Sequence, residues 1–144
     1  QTRGVTNEPF NPLAMAVALG ISFAGRGFAG DSEHLTKLMY QAVTHRGFAL
    51  VDILQPCVSF NKVNTFAWYR QRVYRLEETD YDPADRLAAF QKALEWGERI
   101  PIGIIYRRER PIFEENQPVL RRGPLVHQEA PGAADLSPVM DSFC

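Results

Sequence analysis

Among the 144 residues, the side chain best placed to do chemistry is Cys57. It follows a nearly unbroken apolar run, Phe48-Ala49-Leu50-Val51-Asp52-Ile53-Leu54, and the dipeptide Gln55-Pro56. A thiol at the exit of a buried strand is offered to whatever binds at that sheet edge, because ligands of open α/β sheets sit beyond the carboxyl ends of the strands. The bland reading is an inert buried thiol, the commoner state of a lone cysteine. Nucleophilic catalysis would need a base and an orienting group. His34 and His45 lie on the preceding helix and His127 far downstream, so the sequence assembles no triad. A metal centre would need further ligands, and the chain has neither Cys-x-x-Cys nor His-x-x-x-His.

Three other groups carry weaker signals. Gly25-Arg26-Gly27-Phe28-Ala29-Gly30 has the glycine spacing of a dinucleotide-binding turn. The acidic residue expected about 20 positions on would be Asp52, which falls inside the next strand rather than at its end. A glycine-rich strand-to-helix turn is therefore favoured, with Arg26 either a solvated cation or one that reaches a phosphate or carboxylate of a partner. Asn61 and Lys62 are candidates for lining the cleft beside Cys57, whereas Asn64 and Thr65 are explained by helix capping. Phe66-Ala67-Trp68-Tyr69 with Arg70, Arg72 and Arg75 could stack on nucleic acid, but Glu77, Glu78, Asp80 and Asp82 follow directly. An amphipathic packing helix is the better reading.

The elements that must position these residues are legible in outline. Asn11 and Pro12 open a helix through Leu19, which is apolar on every side and so expected to be buried. Ile21–Ala24 is a short strand that runs into the glycine string. Asp31 or Ser32 opens a helix to about His45, with Leu35, Leu38, Met39, Ala42 and Val43 on one face. The run 48–54 then reads as an inner strand of a parallel sheet, giving a βαβ unit. Further helices are expected over Phe66 to about Leu76 and, after Asp82-Pro83, over Ala84 to Trp96, with a last strand at Ile102–Tyr106. From Asn116 onward periodicity is lost. The fold class expected is α/β, a partial doubly wound parallel sheet, with residues 1–116 forming the domain and 117–144 a flexible, extended or disordered tail. Two or three strands cannot cover four helices, so the sheet is expected to continue in residues or subunits beyond this chain.

Composition narrows the partners. A content of 45% hydrophobic and 23% charged residues, with a net charge of −1, suits a packed globular domain without a nucleic-acid or anionic-membrane partner. No apolar run approaches the roughly 20 residues that span a bilayer, and no signal-peptide pattern is visible. Cys57 and Cys144, in unlike settings, make no disulfide framework, and a reducing cytoplasm is the expected location. The chain opens Gln1-Thr2-Arg3-Gly4 without Met, as a trimmed exported protein or a piece of a longer reading frame would.

Several strings together resemble the β subunits of 2-oxoacid:ferredoxin oxidoreductases. They are Glu8-Pro9-Phe10-Asn11-Pro12-Leu13, Gly30-Asp31-Ser32-Glu33-His34-Leu35, and His45 to Asn61 with its Leu54-Gln55-Pro56-Cys57-Val58-Ser59-Phe60-Asn61 core. Asn64-Thr65 with Trp68-Tyr69, Ala93 to Gly97 and Ile100 to Ile104 extend the likeness over Glu8 to Glu115. The resemblance implies the C-terminal half of a thiamine-diphosphate-binding domain. Such enzymes oxidatively decarboxylate a 2-oxoacid, 2-oxoglutarate being the commonest association of this two-subunit type, to an acyl-CoA. They pass electrons through a [4Fe-4S] cluster to ferredoxin. The partners implied are an α subunit, ferredoxin, the 2-oxoacid and coenzyme A; the cofactors are thiamine diphosphate, Mg²⁺ and the cluster. Of the four cysteine ligands, the resemblance assigns the fourth to Cys57 and places three upstream, outside this sequence. Cys144 has no family match and does not replace them. The Gly-Asp-Gly…Asn segment that grips Mg²⁺ is also absent, and Thr6 and Asn7 match the end of the cofactor loop only loosely. No catalytic or thiamine-diphosphate-binding residue is therefore assigned, and the chain is expected to be inactive alone. The alternative is a non-catalytic, stand-alone half that acts as a subunit-binding module.

Overall fold

A computed structural model describes residues 9–129 and 132–143; Thr6, Asn7 and Cys144 lie outside them. The first helix, α1 (Pro12–Ala18), starts as its sequence dictates, with the Asn11 side chain accepting from Ala14 N at 2.9 Å. Leu13, Ala14 and Val17 are buried, but Met15 and Leu19 face outward at 49% and 78% exposure. The expectation of burial on every side is thus met on one face only, because no described element covers the other.

Strand β1 (Phe23–Phe28), helix α2 (Ser32–Thr44) and strand β2 (Ala49–Leu54) form the expected βαβ unit, in parallel register from Phe23↔Ala49 to Phe28↔Leu54. Asp31 caps α2 through its side chain, which accepts from His34 N. The glycine string departs from its reading as a turn: Gly25 and Gly27 are inside β1, and only Gly30 lies in the turn before α2. A Cβ on Gly27 would come within 2.5 Å of Leu35 Cδ1, and one on Gly25 within 2.9 Å of Leu38 Cδ1. The two glycines let α2 press onto the strand, which is helix–sheet packing rather than phosphate binding.

The third helix is shorter than its aromatic pattern suggests. Helix α3 (Phe66–Arg70) gives way to strand β3 (Val73–Arg75) and a 3₁₀ turn, Leu76–Glu78. Val73 and Tyr74 are better strand than helix formers, and pairing of Val73–Arg75 with Ile100–Ile102 outweighs continuation of a single helical turn. Helix α4 (Arg86–Leu94) is capped by Asp85, whose carboxylate accepts from Leu87 N and Ala88 N; Asp82 instead closes the preceding turn onto Ala84 N. Strand β4 (Ile100–Arg107) follows.

The strand order is β2-β1-β4-β3, with β1/β2 and β3/β4 parallel but β1/β4 antiparallel. The sheet is mixed, which corrects the parallel expectation. The segment after β2 is spent on a loop and a five-residue helix and does not recross the sheet. Strand β3 therefore starts at the edge where β2 ended and runs back, whereas a parallel strand would need a full crossover. The same order puts β2 at an edge rather than inside. Its apolar residues up to Val51 are only half-buried.

Helix α2 covers one face of the sheet and α1 with α4 the other, where Leu13, Val17, Ala24, Ala89, Ala93 and Ile105 form one apolar cluster. A second cluster, Phe28, Leu54, Ile100 and Ile102, carries Phe66, Trp68, Tyr69 and Val73 at the end of the sheet where β2 exits. The described residues divide into two compact units, Gln1–Arg110 and Pro111–Cys144. The second contains 3₁₀ turns at Glu114–Asn116, Pro118–Arg122 and Leu125–His127 and a helix, α5 (Ala133–Asp141), with Pro138 inside it. The compositional change at Asn116 falls within this unit. No described helix is long and apolar enough to cross a membrane.

Packing of α2 onto glycine makes a prediction with an unambiguous sign. Valine is the better strand former, yet Gly27→Val should lower unfolding free energy by about 1–3 kcal/mol through overpacking against Leu35. Chemical denaturation checks this; an unchanged or higher midpoint would show that α2 is free to shift.

Candidate functional site

Strand β2 ends at buried Leu54, and buried Pro56 turns the chain so that Cys57 emerges into solvent. The inert buried thiol is therefore not what the fold makes. The loop then curls back beneath the sulfur. The nearby backbone N–H groups of Phe60 and Ser59, with a smaller contribution from Asn61, favour the thiolate and hold the Cys57 pKa below the ordinary value of 9.0. Donors aimed at a sulfur stabilise the thiolate, the form that ligates metals and attacks electrophiles.

Asn61 is what keeps this curl closed. Its N–H donates to Cys57 O at 3.0 Å, and its Oδ1 accepts from Val63 N at 2.9 Å and Asn64 N at 3.0 Å. Lys62 Nζ donates to Val58 O at 2.6 Å. Asn61 and Lys62 thus buttress the loop instead of lining a cleft. Thr65 caps α3, its Oγ1 accepting from Trp68 N at 3.3 Å, whereas Asn64 joins the loop, its Oδ1 accepting from Asn61 Nδ2 at 3.4 Å. Under the loop, Phe28 packs against Phe66 and Tyr69 with ring centroids 5.8 and 5.7 Å apart. Its outer rim is apolar and exposed, with Phe60 at 92% and Val63 at 74%.

The remaining candidates are occupied elsewhere. Arg26, expected in a turn, is buried mid-strand, with Nε 3.1 Å from Asp52 Oδ2 and Nη2 donating to Ala93 O at 3.0 Å. Asp52 therefore serves as its counter-ion, not as a ribose ligand. His34 Nε2 pairs with Glu77 Oε1 at 2.8 Å, and His45 Nε2 lies 3.0 Å from Ser22 Oγ at the far end of the strands from Cys57. His127 belongs to the second unit. Among the described residues, no three His, Cys, Asp or Glu side chains gather as a metal site. A cleft of about 580 Å³ beside α2 is lined by both charge signs, with Lys37 on Glu33 and Arg75 on Asp31 already paired. The backbone cradle around Cys57 was missed by sequence reasoning; the Asn four residues after the Cys, which closes the turn, was the signal available.

Comparison with known proteins agrees with this arrangement. The family model for the C-terminal part of the pyruvate ferredoxin oxidoreductase β subunit matches residues 57–122, beginning at Cys57. The β subunit of a Sulfolobus 2-oxoacid:ferredoxin oxidoreductase is 43% identical over 120 residues, which is 76% of this chain and 39% of the relative. Its counterpart in Saccharolobus solfataricus is 40% identical over 113 residues, 72% of this chain and 37% of the relative. A 2-oxoglutarate:ferredoxin oxidoreductase from Magnetococcus marinus, solved with 2-oxoglutarate, coenzyme A and succinyl-CoA bound, superposes with a TM-score of 0.77 at 29% identity. That match covers 98% of this chain and 47% of the other. Fold and matches together define a segment of a redox-enzyme subunit. The chain belongs to the β-subunit family of the 2-oxoacid:ferredoxin oxidoreductases, whose C-terminal segment it carries. It spans well under half the length of the curated relatives it matches.

The cradle predicts a measurable reactivity. Alkylation of Cys57 by iodoacetamide should follow a titration with its midpoint below 9.0, because the thiolate is stabilised in the folded loop. Asn61→Ala should move the midpoint up by loosening the turn. A midpoint at or above the ordinary value in the unaltered chain would mean that the N–H groups do not hold the sulfur.

Proposed function

We propose that this chain is the C-terminal part of a thiamine-diphosphate-binding β-subunit domain in a cytoplasmic 2-oxoacid:ferredoxin oxidoreductase, with Cys57 as one of four cysteine ligands to a [4Fe-4S] cluster. The observation that carries the reading is the position of the Cys57 thiol, exposed at the exit of β2 in a loop that Asn61 closes, where nearby backbone N–H groups lower its pKa. The donor set fits one corner of such a cluster: a thiolate, open to its outer side, with amide donors of the kind that tune cluster potentials. It does not fit a whole cluster, since no further ligands gather among the described residues, and the other three cysteines come from the rest of the subunit. When bound, the cluster supplies one-electron transfer towards ferredoxin. The described residues offer no set that fits thiamine diphosphate and Mg²⁺, and no step is assigned to them here.

In this reading the domain spans residues 1–116 and ends in the tail 117–144. The whole enzyme, completed by an α subunit, converts a 2-oxoacid to an acyl-CoA. The Magnetococcus structure contains 2-oxoglutarate, and a Mycobacterium tuberculosis relative, 43% identical over 58 residues, is named a 2-oxoglutarate oxidoreductase subunit. That favours 2-oxoglutarate as substrate.

Reconstitution tests the proposal. The chain, the family's N-terminal β-subunit half and an α subunit should together reduce ferredoxin in a 2-oxoacid-dependent manner. Cys57→Ser should abolish that reduction and the visible absorption of the cluster. Full electron transfer in Cys57→Ser would refute the ligand assignment. Assembly without any 2-oxoacid-dependent reduction would make the chain a subunit-binding module instead.

A further inference from the structure

The loop that carries Cys57 leaves the sheet at Leu54 and rejoins regular structure at Phe66, the first residue of α3. Both of its ends rest on one turn, the reversal between β1 and α2. At the entry, Ala29 N donates to Leu54 O at 3.0 Å, just ahead of Gln55-Pro56-Cys57. At the exit, the Phe28 and Phe66 rings lie 5.8 Å apart and tilted by 43°. The turn itself is closed by Asp31 N, which donates to Phe28 O at 3.0 Å. Arg75 fastens it from the other side, its Nε and Nη2 both donating to Asp31 Oδ2, at 3.1 and 2.7 Å.

Gly30 is what lets this turn hold the exit of the loop. Its φ lies outside the left-handed region, so the backbone alone would accept alanine. Contact forbids it: a Cβ there would lie 2.4 Å from Phe28 Cε1 and Cζ and 3.1 Å from Phe66 Cδ1. Phe28 is 1% exposed and clusters with Leu54, Ile100 and Ile102, so its ring has no free space to enter. Any side chain at residue 30 must push the two rings apart or lift the turn off Leu54. A loop whose ends are fixed together has lost much of its freedom before its own hydrogen bonds form. The Asn61 bonds then select only among curls that fit the fixed span.

We infer that Phe28 and Gly30 are positioning residues for Cys57. The β1–α2 turn sets the spacing of the loop ends, and through it the direction in which the thiolate is presented to the cluster. This rests on the ligand assignment proposed above. A cluster corner needs its sulfur at one defined point, because a thiolate with several orientations gives several cluster environments.

Hydrogen exchange on the chain tests the clamp, and electron paramagnetic resonance of the reduced cluster in the reconstituted enzyme tests its consequence. In Gly30→Ala, and separately in Phe28→Leu, the amides of Asn61, Val63 and Asn64 should exchange about tenfold faster, while those pairing β1 with β4 stay protected. The cluster signal should broaden or split. Phe28→Leu, which removes the ring without adding a clash, decides the matter should Gly30→Ala fail to fold. Gly27→Ala, which crowds Leu35 instead, should lower overall stability and leave the loop amides and the signal as they are. Unchanged loop exchange in the Phe28 and Gly30 variants, or equal acceleration by Gly27→Ala, would overturn the clamp. Faster exchange with an unchanged cluster signal would overturn the link from turn to ligand. Absence of a cluster from the enzyme assembled with the unaltered chain would overturn the ligand assignment itself, whereas exchange on the chain alone still decides the clamp.

Discussion

The buried Arg26 guanidinium is the constraint around which the first unit is organised. A full positive charge in a sheet interior is tolerated only with a counter-ion and acceptors in place. Asp52 on the neighbouring strand supplies the charge, and Ala93 O, at the carboxyl end of α4, supplies the second acceptor. Asn11 Nδ2 donates to that same carbonyl at 2.9 Å, which brings the start of α1 to the same point. One side chain therefore links β1 to β2 by charge and to α4 by a helix-end contact, with Trp96 stacked over it at 5.6 Å. Losing Asp52 costs about 3–5 kcal/mol, because Arg26 would remain charged and buried.

The glycines that flank Arg26 complete the logic. Alternation along β1 sends Arg26 to the α1/α4 face and turns Gly25 and Gly27 toward α2. Side chains there would hold α2 away. Without them, Leu35 and Leu38 reach the backbone and seal the opposite face. A three-residue string, Gly25-Arg26-Gly27, thus fixes three layers. Because β1 is clamped on both faces, its partner β2 exits in a defined place, and the Cys57 loop inherits that position. The precision of the thiol comes from the strand behind it and from backbone donors, which carry no side-chain entropy cost of their own.

Much of the scaffold was legible in the sequence for local reasons. Asn11-Pro12, Asp31 and Thr65 announce helix starts because capping is a short-range transaction between neighbouring residues. The β1–α2–β2 unit follows from periodicity. What failed was non-local. Nothing in residues 66–76 states that Val73 will pair with Ile100, so the strand was absorbed into a helix. Nothing in β4 states its direction relative to β1. Arg26 reads as a turn cation in the sequence because two flanking glycines resemble a turn until the helix that needs them is in view. At the site, Cys57 was found from its place after a strand, but the roles of Asn61 and Lys62 were not. Polar side chains beside a cleft and polar side chains inside a loop have the same composition.

The two ends of the sheet differ in kind, and the difference follows from topology. In this mixed order, the carboxyl ends of β1 and β2 and the amino ends of β3 and β4 share one edge. That edge receives the aromatic cluster, the end of α4 and the Cys57 loop, with Arg26 and Arg72 matched by Asp52 and Glu98 and Lys62 held on Val58 O. The other edge receives the carboxyl end of α1 and the exit of β4, where Arg86, Arg108 and Arg110 donate to backbone carbonyls. Backbone carbonyls at a helix end attract cations but do not neutralise them. The Cys57 edge is thus held by side-chain ion pairs and the far edge by side-chain donors on backbone carbonyls.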